Sequence, residues 1–110
     1  MSQLEKEILK NKNDLVEGTF CFELFEEKTF NGHLFEILIR DIQIALKSPD
    51  IKSSDELKEL IIWFIMGTIR CVICHNDPND LYTISNFSIG TWHELYEPKL
   101  SDTLLTLIKT

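Results

Sequence analysis

The chain has 110 residues, 44% hydrophobic and 10% aromatic, with only three prolines and four glycines. Those proportions fit one domain around a single core, exclude a disordered chain and argue against a turn-rich sandwich. Eighteen acidic residues against eleven basic ones leave a net charge of −7, which repels nucleic acid and anionic membrane and favours a basic partner.

The N-terminus, Met1-Ser2-Gln3-Leu4-Glu5-Lys6, has no charged-then-apolar export pattern, so a cytoplasmic location is expected. Cys21, Cys71 and Cys74 are an odd number of cysteines, which a reducing compartment keeps as thiols. Residues 3–17 place Leu4, Ile8 and Leu15 near one helical face, with Gly18 as a stop. Residues 19–28 fit a strand by the alternation of Phe20, Phe22 and Leu24. They fit a helix by the adjacency of Cys21, Phe22 and Phe25, and Glu26-Glu27-Lys28 favours the helix. Leu34, Phe35, Leu38, Ile42 and Ala45 then mark one face of a helix over 33–47. Ser48-Pro49 ends it, because a residue before proline avoids helical angles.

Ser53-Ser54-Asp55-Glu56 reads as a capping box, with the Ser53 hydroxyl accepting from the Glu56 amide. The helix that follows runs from 54 to about 74. Its stretch Leu60-Ile61-Ile62-Trp63-Phe64-Ile65-Met66 is apolar all round, which predicts burial on most sides. The apolar run 60–74 is broken by Gly67, Thr68 and Arg70 and falls short of the roughly 20 residues a membrane span needs. Residues 76–80 are a loop. Residues 81–90, with Tyr82, Ile84 and Phe87, suit a strand or an irregular arm. Thr91-Trp92-His93-Glu94 is a second possible capping box, opening a short turn before Pro98. Ser101 is expected to cap the last helix, whose stripe is Leu104, Leu105 and Ile108. The whole predicts an all-α, antiparallel bundle of four to five helices over residues 1–110, with an irregular arm near 81–98.

Cys71-Val72-Ile73-Cys74-His75 matches the C-x-x-C-H pattern of covalent haem attachment. That chemistry needs a second axial ligand, and the only internal methionine is Met66, on the same helix. Zinc needs four ligands, whereas Cys71, Cys74 and His75 supply three. A thioredoxin-like pair belongs at a helix start, where the dipole lowers a thiol pKa; this pair sits at a helix end. Cys71 and Cys74 are therefore read as small apolar residues. No metal, cofactor or catalytic residue is assigned. His33, His75 and His93 lie in loops or at helix ends and are read as surface or cap histidines. An EF-hand loop opened by Asp77 would need glutamate at its twelfth place, which is Ser88. The scattered lysines and arginines form no basic stripe for nucleic acid.

Three acidic groups remain dense and uncompensated. Glu23, Glu26 and Glu27 fall within five residues; Asp77 and Asp80 share a proline-stiffened loop; Glu94 and Glu97 lie among Trp92 and Tyr96. Carboxylates around aromatic anchors suit a protein–protein site against a basic partner.

The element order also resembles a known group. Asp14-Leu15-Val16-Glu17-Gly18-Thr19-Phe20, Phe22-Glu23-Leu24-Phe25-Glu26-Glu27, Ile73-Cys74-His75-Asn76-Asp77-Pro78-Asn79-Asp80 and a capped final helix resemble small acidic immunity proteins that bacteria pair with ribonuclease toxins. The likeness is to the colicin D immunity type and to helical immunity proteins of contact-dependent growth inhibition. It implies a non-catalytic bundle that binds one toxin nuclease domain and covers its cleft, with no direct contact to nucleic acid or membrane. The acidic clusters, not the resemblance, supply the pool of toxin contacts: Glu23, Glu26, Glu27, Asp77, Asp80, Glu94 and Glu97, with Trp92 and Tyr96 as anchors. The aromatic arm and the Cys71/Cys74 pair depart from the pattern. The alternative is an acidic nucleic-acid mimic, or an adaptor for a basic host factor.

Overall fold

Helices in this chain begin where a short polar side chain can hold their first free amides. Ser2, Thr19, Asn31, Ser54 and Ser88 each sit in extended conformation and accept from the amide three residues on. Such a cap contributes about 1 kcal/mol. The computed structural model describes residues 2–48 and 54–110. They form an all-α bundle: α1 Gln3–Leu9, α2 Phe20–Phe25, α3 Gly32–Lys47 and α4 Asp55–Asn76, then a single turn α5, Ile89–Thr91, which continues through a π-helical turn, Trp92–Tyr96, into α6, Glu97–Lys109. Among the described residues the only β pairing is one parallel bridge between Thr29 and Ser85.

Several boundaries differ from the sequence reading. The first helix stops at Leu9, not Glu17. Asn11 is buried, donates to the Ile8 carbonyl (3.2 Å) and accepts from the Cys21 amide (3.1 Å). A short polar side chain that bonds backbone in this way competes with helix continuation. Asn13 and Asp14 then take positive φ, and Leu15 ends outside the helix, 75% exposed. Ser53 and Pro49 lie outside the described residues. The cap on α4 is Ser54, whose Oγ accepts from the Leu57 amide at 3.1 Å, while Glu56 pairs with Lys12 instead of reaching back.

The C-terminal third holds the larger correction. Ser88, not Thr91, caps the helical run, and Ser101 lies inside α6 rather than before it. Pro98 does not stop the chain. A proline ring clashes with the carbonyl four residues back; here the preceding turn is widened, and the Glu97 amide bonds the Trp92 carbonyl five residues back. The helix passes the proline at the cost of one loose turn.

The core gathers around Phe20. Its ring meets Phe30, Phe35 and Phe64 edge-on, at 5.4, 5.4 and 5.6 Å between centroids. Those partners come from the link after α2, from α3 and from α4. Around them α1 packs on α3 and α4, α2 on α4 and α3, and α6 on α3 and α4. Lys99 of α6 reaches Glu36 of α3 at 2.5 and 2.6 Å. Gln43 of α3 donates to Thr103 of α6 at 3.3 Å.

Residues 81–88 are an ordered arm. Phe30 donates to the Ser85 carbonyl (3.0 Å), and Ser85 donates to that of Lys28 (2.7 Å). The Tyr82 hydroxyl donates to the Leu24 carbonyl (3.3 Å) and the Asn86 amide to that of Phe30 (3.3 Å). Ile84 is buried.

Tyr96 locks this arrangement. Its ring packs on Phe30 and Phe35 at 4.9 and 5.0 Å. Its hydroxyl rests against Gly32, where a Cβ would collide with the hydroxyl and approach Cζ to 3.3 Å. Gly32→Ala should therefore cost about 1–3 kcal/mol by overpacking. Adding Tyr96→Phe, which removes the colliding oxygen, should recover most of the loss in urea unfolding. Equal stability of the single alanine variant and the parent would contradict this packing.

Candidate functional site

An apolar groove opens between α4 and the helical run 89–109. Its floor is built from Ile69, Val72 and Ile73 of α4 with Trp92, Leu100 and Leu104 opposite, and its volume is about 570 Å³. Asp77, His93 and Glu97 stand among its lining residues. The apolar face extends beyond the groove. Ile62, Met66, Ile69 and Ile73 are spaced four, three and four residues apart, so they share one side of α4. All four are exposed, Met66 by 59% and Ile73 by 64%. Across the groove Leu104 and Ile108 are exposed on α6.

This face overturns two expectations. The middle of α4 is not buried on most sides: Leu60, Ile61, Phe64 and Ile65 point inward, whereas Ile62, Trp63 and Met66 remain exposed. In α6 the expected stripe of Leu104, Leu105 and Ile108 faces outward, and Leu100 with Thr103 is buried in its place.

The nine residues expected to contact a partner are dispersed. Glu23 is half-buried and accepts from the Asn31 side chain at 3.1 Å, a structural link between α2 and α3. Glu27 is exposed. Asp77 accepts from the Asn79 amide and Asp80 from the Tyr82 amide, both at 2.9 Å, which sets the loop shape. Trp92 is no surface anchor. It is 2% exposed, packed near Phe30 and Phe87, and it closes the inner wall of the groove. Tyr96 is half-buried against the core. Glu94 is exposed, and Glu97 lies 3.3 Å from His93 Nδ1. The structure thus brings Asp77, Trp92 and Glu97 to one groove and leaves the α2 carboxylates elsewhere. The apolar stripe was missed, although its four-three-four spacing stands in the sequence.

The Cys71–His75 segment has a structural use. His75 Nδ1 accepts from the Ile84 amide at 2.9 Å, which assigns the ring proton to Nε2, and the ring stacks edge-on to Phe87 at 4.9 Å. It pegs the arm to the end of α4. The Cys71 thiol is pushed up by burial, against smaller opposing effects of the Tyr82 hydroxyl and Arg70. Cys74 is pushed up by desolvation and then by the Asp80 carboxylate. Burial raises Cys21 strongly. All three stay protonated at neutral pH, which makes them poor nucleophiles. Among the described residues no group of three or more His, Cys, Asp or Glu is placed to hold a metal ion, and no helix is long and apolar enough to cross a membrane.

Glu26 lies beside Asp14, whose hydrogen bond and negative charge raise the Glu26 pKa. A carboxyl with a raised folded pKa binds its proton more readily when folded, so the pair opposes folding above that pKa and the penalty fades as pH falls. Glu26→Gln should raise the unfolding midpoint at pH 7, and the gain should disappear below about pH 4. Denaturant titrations across pH 3.5–8 read this directly; a gain independent of pH would remove the carboxylate pair as its cause.

Compared with known proteins, the chain matches no family model, no curated protein and no solved structure.

Proposed function

We propose that this chain is a stoichiometric protein-binding inhibitor: an immunity protein that neutralises a cognate bacterial nuclease by covering its basic cleft. The observation that carries this reading is the distribution of paired and unpaired carboxylates. Glu7, Glu36, Asp41 and Glu56 are bridged to Lys10, Lys99, Arg40 and Lys12. Among the described residues the other carboxylates make no bridge to lysine or arginine; Asp77, Asp80, Glu94 and Glu97 are among them, Glu97 meets only His93, and Asp77 and Glu97 share the groove.

Nuclease clefts hold phosphate with lysine, arginine and histidine. Unpaired carboxylates displayed on a rigid scaffold offer that cleft the charge of its substrate and speed encounter by steering. The scaffold here is ordered by the bonds that tie the arm to α2 and α4, so little ordering remains to be done on binding. The expected complex is 1:1, and the chain contributes occlusion rather than chemistry.

Affinity capture of the tagged protein from its host's lysate, at low and at high salt, is the direct test. One basic nuclease fragment should be recovered at equal stoichiometry, loosened by salt and silenced on RNA by one equivalent of this chain. The charge reversals Asp77→Lys, Asp80→Lys, Glu94→Lys and Glu97→Lys, combined, should weaken the complex severely. Loss of one buried charge partner already costs about 2–5 kcal/mol, or roughly 30- to 4,000-fold in Kd. Full neutralisation by a folded quadruple variant would end the electrostatic model.

A further inference from the structure

The groove between α4 and α6 has the shape and charge of a receptor for one helix. Two helices with an open valley between them bury a third by seating its ridge in the valley. The exposed stripe from Ile62 to Ile73 covers eleven residue steps, about 16 Å at the α-helical rise, or three turns of an incoming helix. An extended segment would want a free sheet edge, and among the described residues the sole β pairing is the Thr29–Ser85 bridge.

The charge at the groove selects the occupant. Asp77 and Glu97 line it, and no lysine or arginine does among the described residues. The two basic residues adjacent in sequence to lining residues do not enter it: Lys99, beside Leu100, bridges Glu36 of α3, and the charge of Arg70, beside Ile69, bears on Cys71. A second copy of this chain would bring another net −7 and another acidic lining against these carboxylates, and like charges so juxtaposed are strongly disfavoured. We infer that the groove receives a single amphipathic helix of a partner protein, its apolar stripe seated on Ile69, Ile73 and Leu104 and its flanking lysines or arginines meeting Asp77 and Glu97. This inference rests on the protein-binding reading above and adds which element of the partner is held.

Three synthetic 18-residue peptides test it. One carries leucines at i, i+4, i+7 and i+11 with lysines on its flanks; one has the same stripe with glutamates; one is a scramble of the lysine peptide. Titrations into methyl-labelled protein at physiological salt should shift the Ile69, Ile73 and Leu104 methyls with the first peptide. Its Kd should be at least tenfold below that of the glutamate twin and of the scramble. Ile73→Asp, at an exposed position, should weaken binding at least tenfold; Ile44→Asp, exposed on α3, should leave it unchanged. Equal binding of the scramble, or shifts on another face, would overturn the inference. So would a dimer of the free protein that Ile73→Asp dissociates, since the occupant would then be a second copy. If no peptide binds while the four charge reversals still abolish nuclease inhibition, the groove inference falls alone. If the peptide binds as described while those reversals leave inhibition intact, the electrostatic inhibitor model falls and the groove stands.

Discussion

The edge-to-face packing of Phe20 is the constraint on which the remaining architecture depends. Aromatic pairs at these separations add about 0.5–1.5 kcal/mol each beyond the area they bury. Phe20 makes three at once, to Phe30, Phe35 and Phe64. The residue sits immediately after the Thr19 cap, so the start of α2 is fixed both by the Thr19 hydroxyl, which accepts from the Phe22 amide, and by its first side chain. With Phe20 in place, Phe30 carries the link that pairs with Ser85, and the arm follows. Phe30 and Phe35 together then hold Tyr96, which sets the course of α6. The loose turn before Pro98 gives that helix the slack to reach α3 and α4 together.

The same constraint decides which side of α4 is left open. Phe64 must face Phe20, so Leu57, Leu60, Ile61, Ile65, Thr68 and Val72 turn inward with it. Residues 62, 66, 69 and 73 are then carried outward by the helical period, whatever their hydrophobicity. Thr68 is fully buried while Ile73 is 64% exposed. Geometry imposed by a few large rings outranks the preference of each individual side chain.

How far the sequence can be read follows from this. Local chemistry was legible: the serines before Asp55 announced the start of α4, and α3 shows its inner face through the period of Phe35, Leu38 and Ile42. Features set by distant contacts were not. Asn11 ends α1 because it bonds the Cys21 amide, a partner ten residues away that no local pattern indicates. Trp92 looked like a surface anchor because its neighbours are polar, yet Phe30 and Phe87 draw it inward. Pro98 reads as a stop unless the preceding turn is known to be wide. The groove lies between these cases. Its stripe of Ile62, Met66, Ile69 and Ile73 can be counted from the sequence, but a helix apolar on every side does not say which side the core will take.

An exposed apolar face is ordinarily an aggregation hazard, and the charge pattern resolves how this chain can carry one. The net charge of −7 makes copies of the chain repel one another. Asp77 and Glu97 place part of that charge at the groove itself, where a second copy or an acidic protein would have to desolvate like charges in order to dock. A basic helix meets the opposite situation, with the same carboxylates drawing it in and the isoleucines receiving its apolar side. On the proposed reading, attraction to one class of partner and rejection of the rest come from the same two side chains, the combination that specific interfaces need.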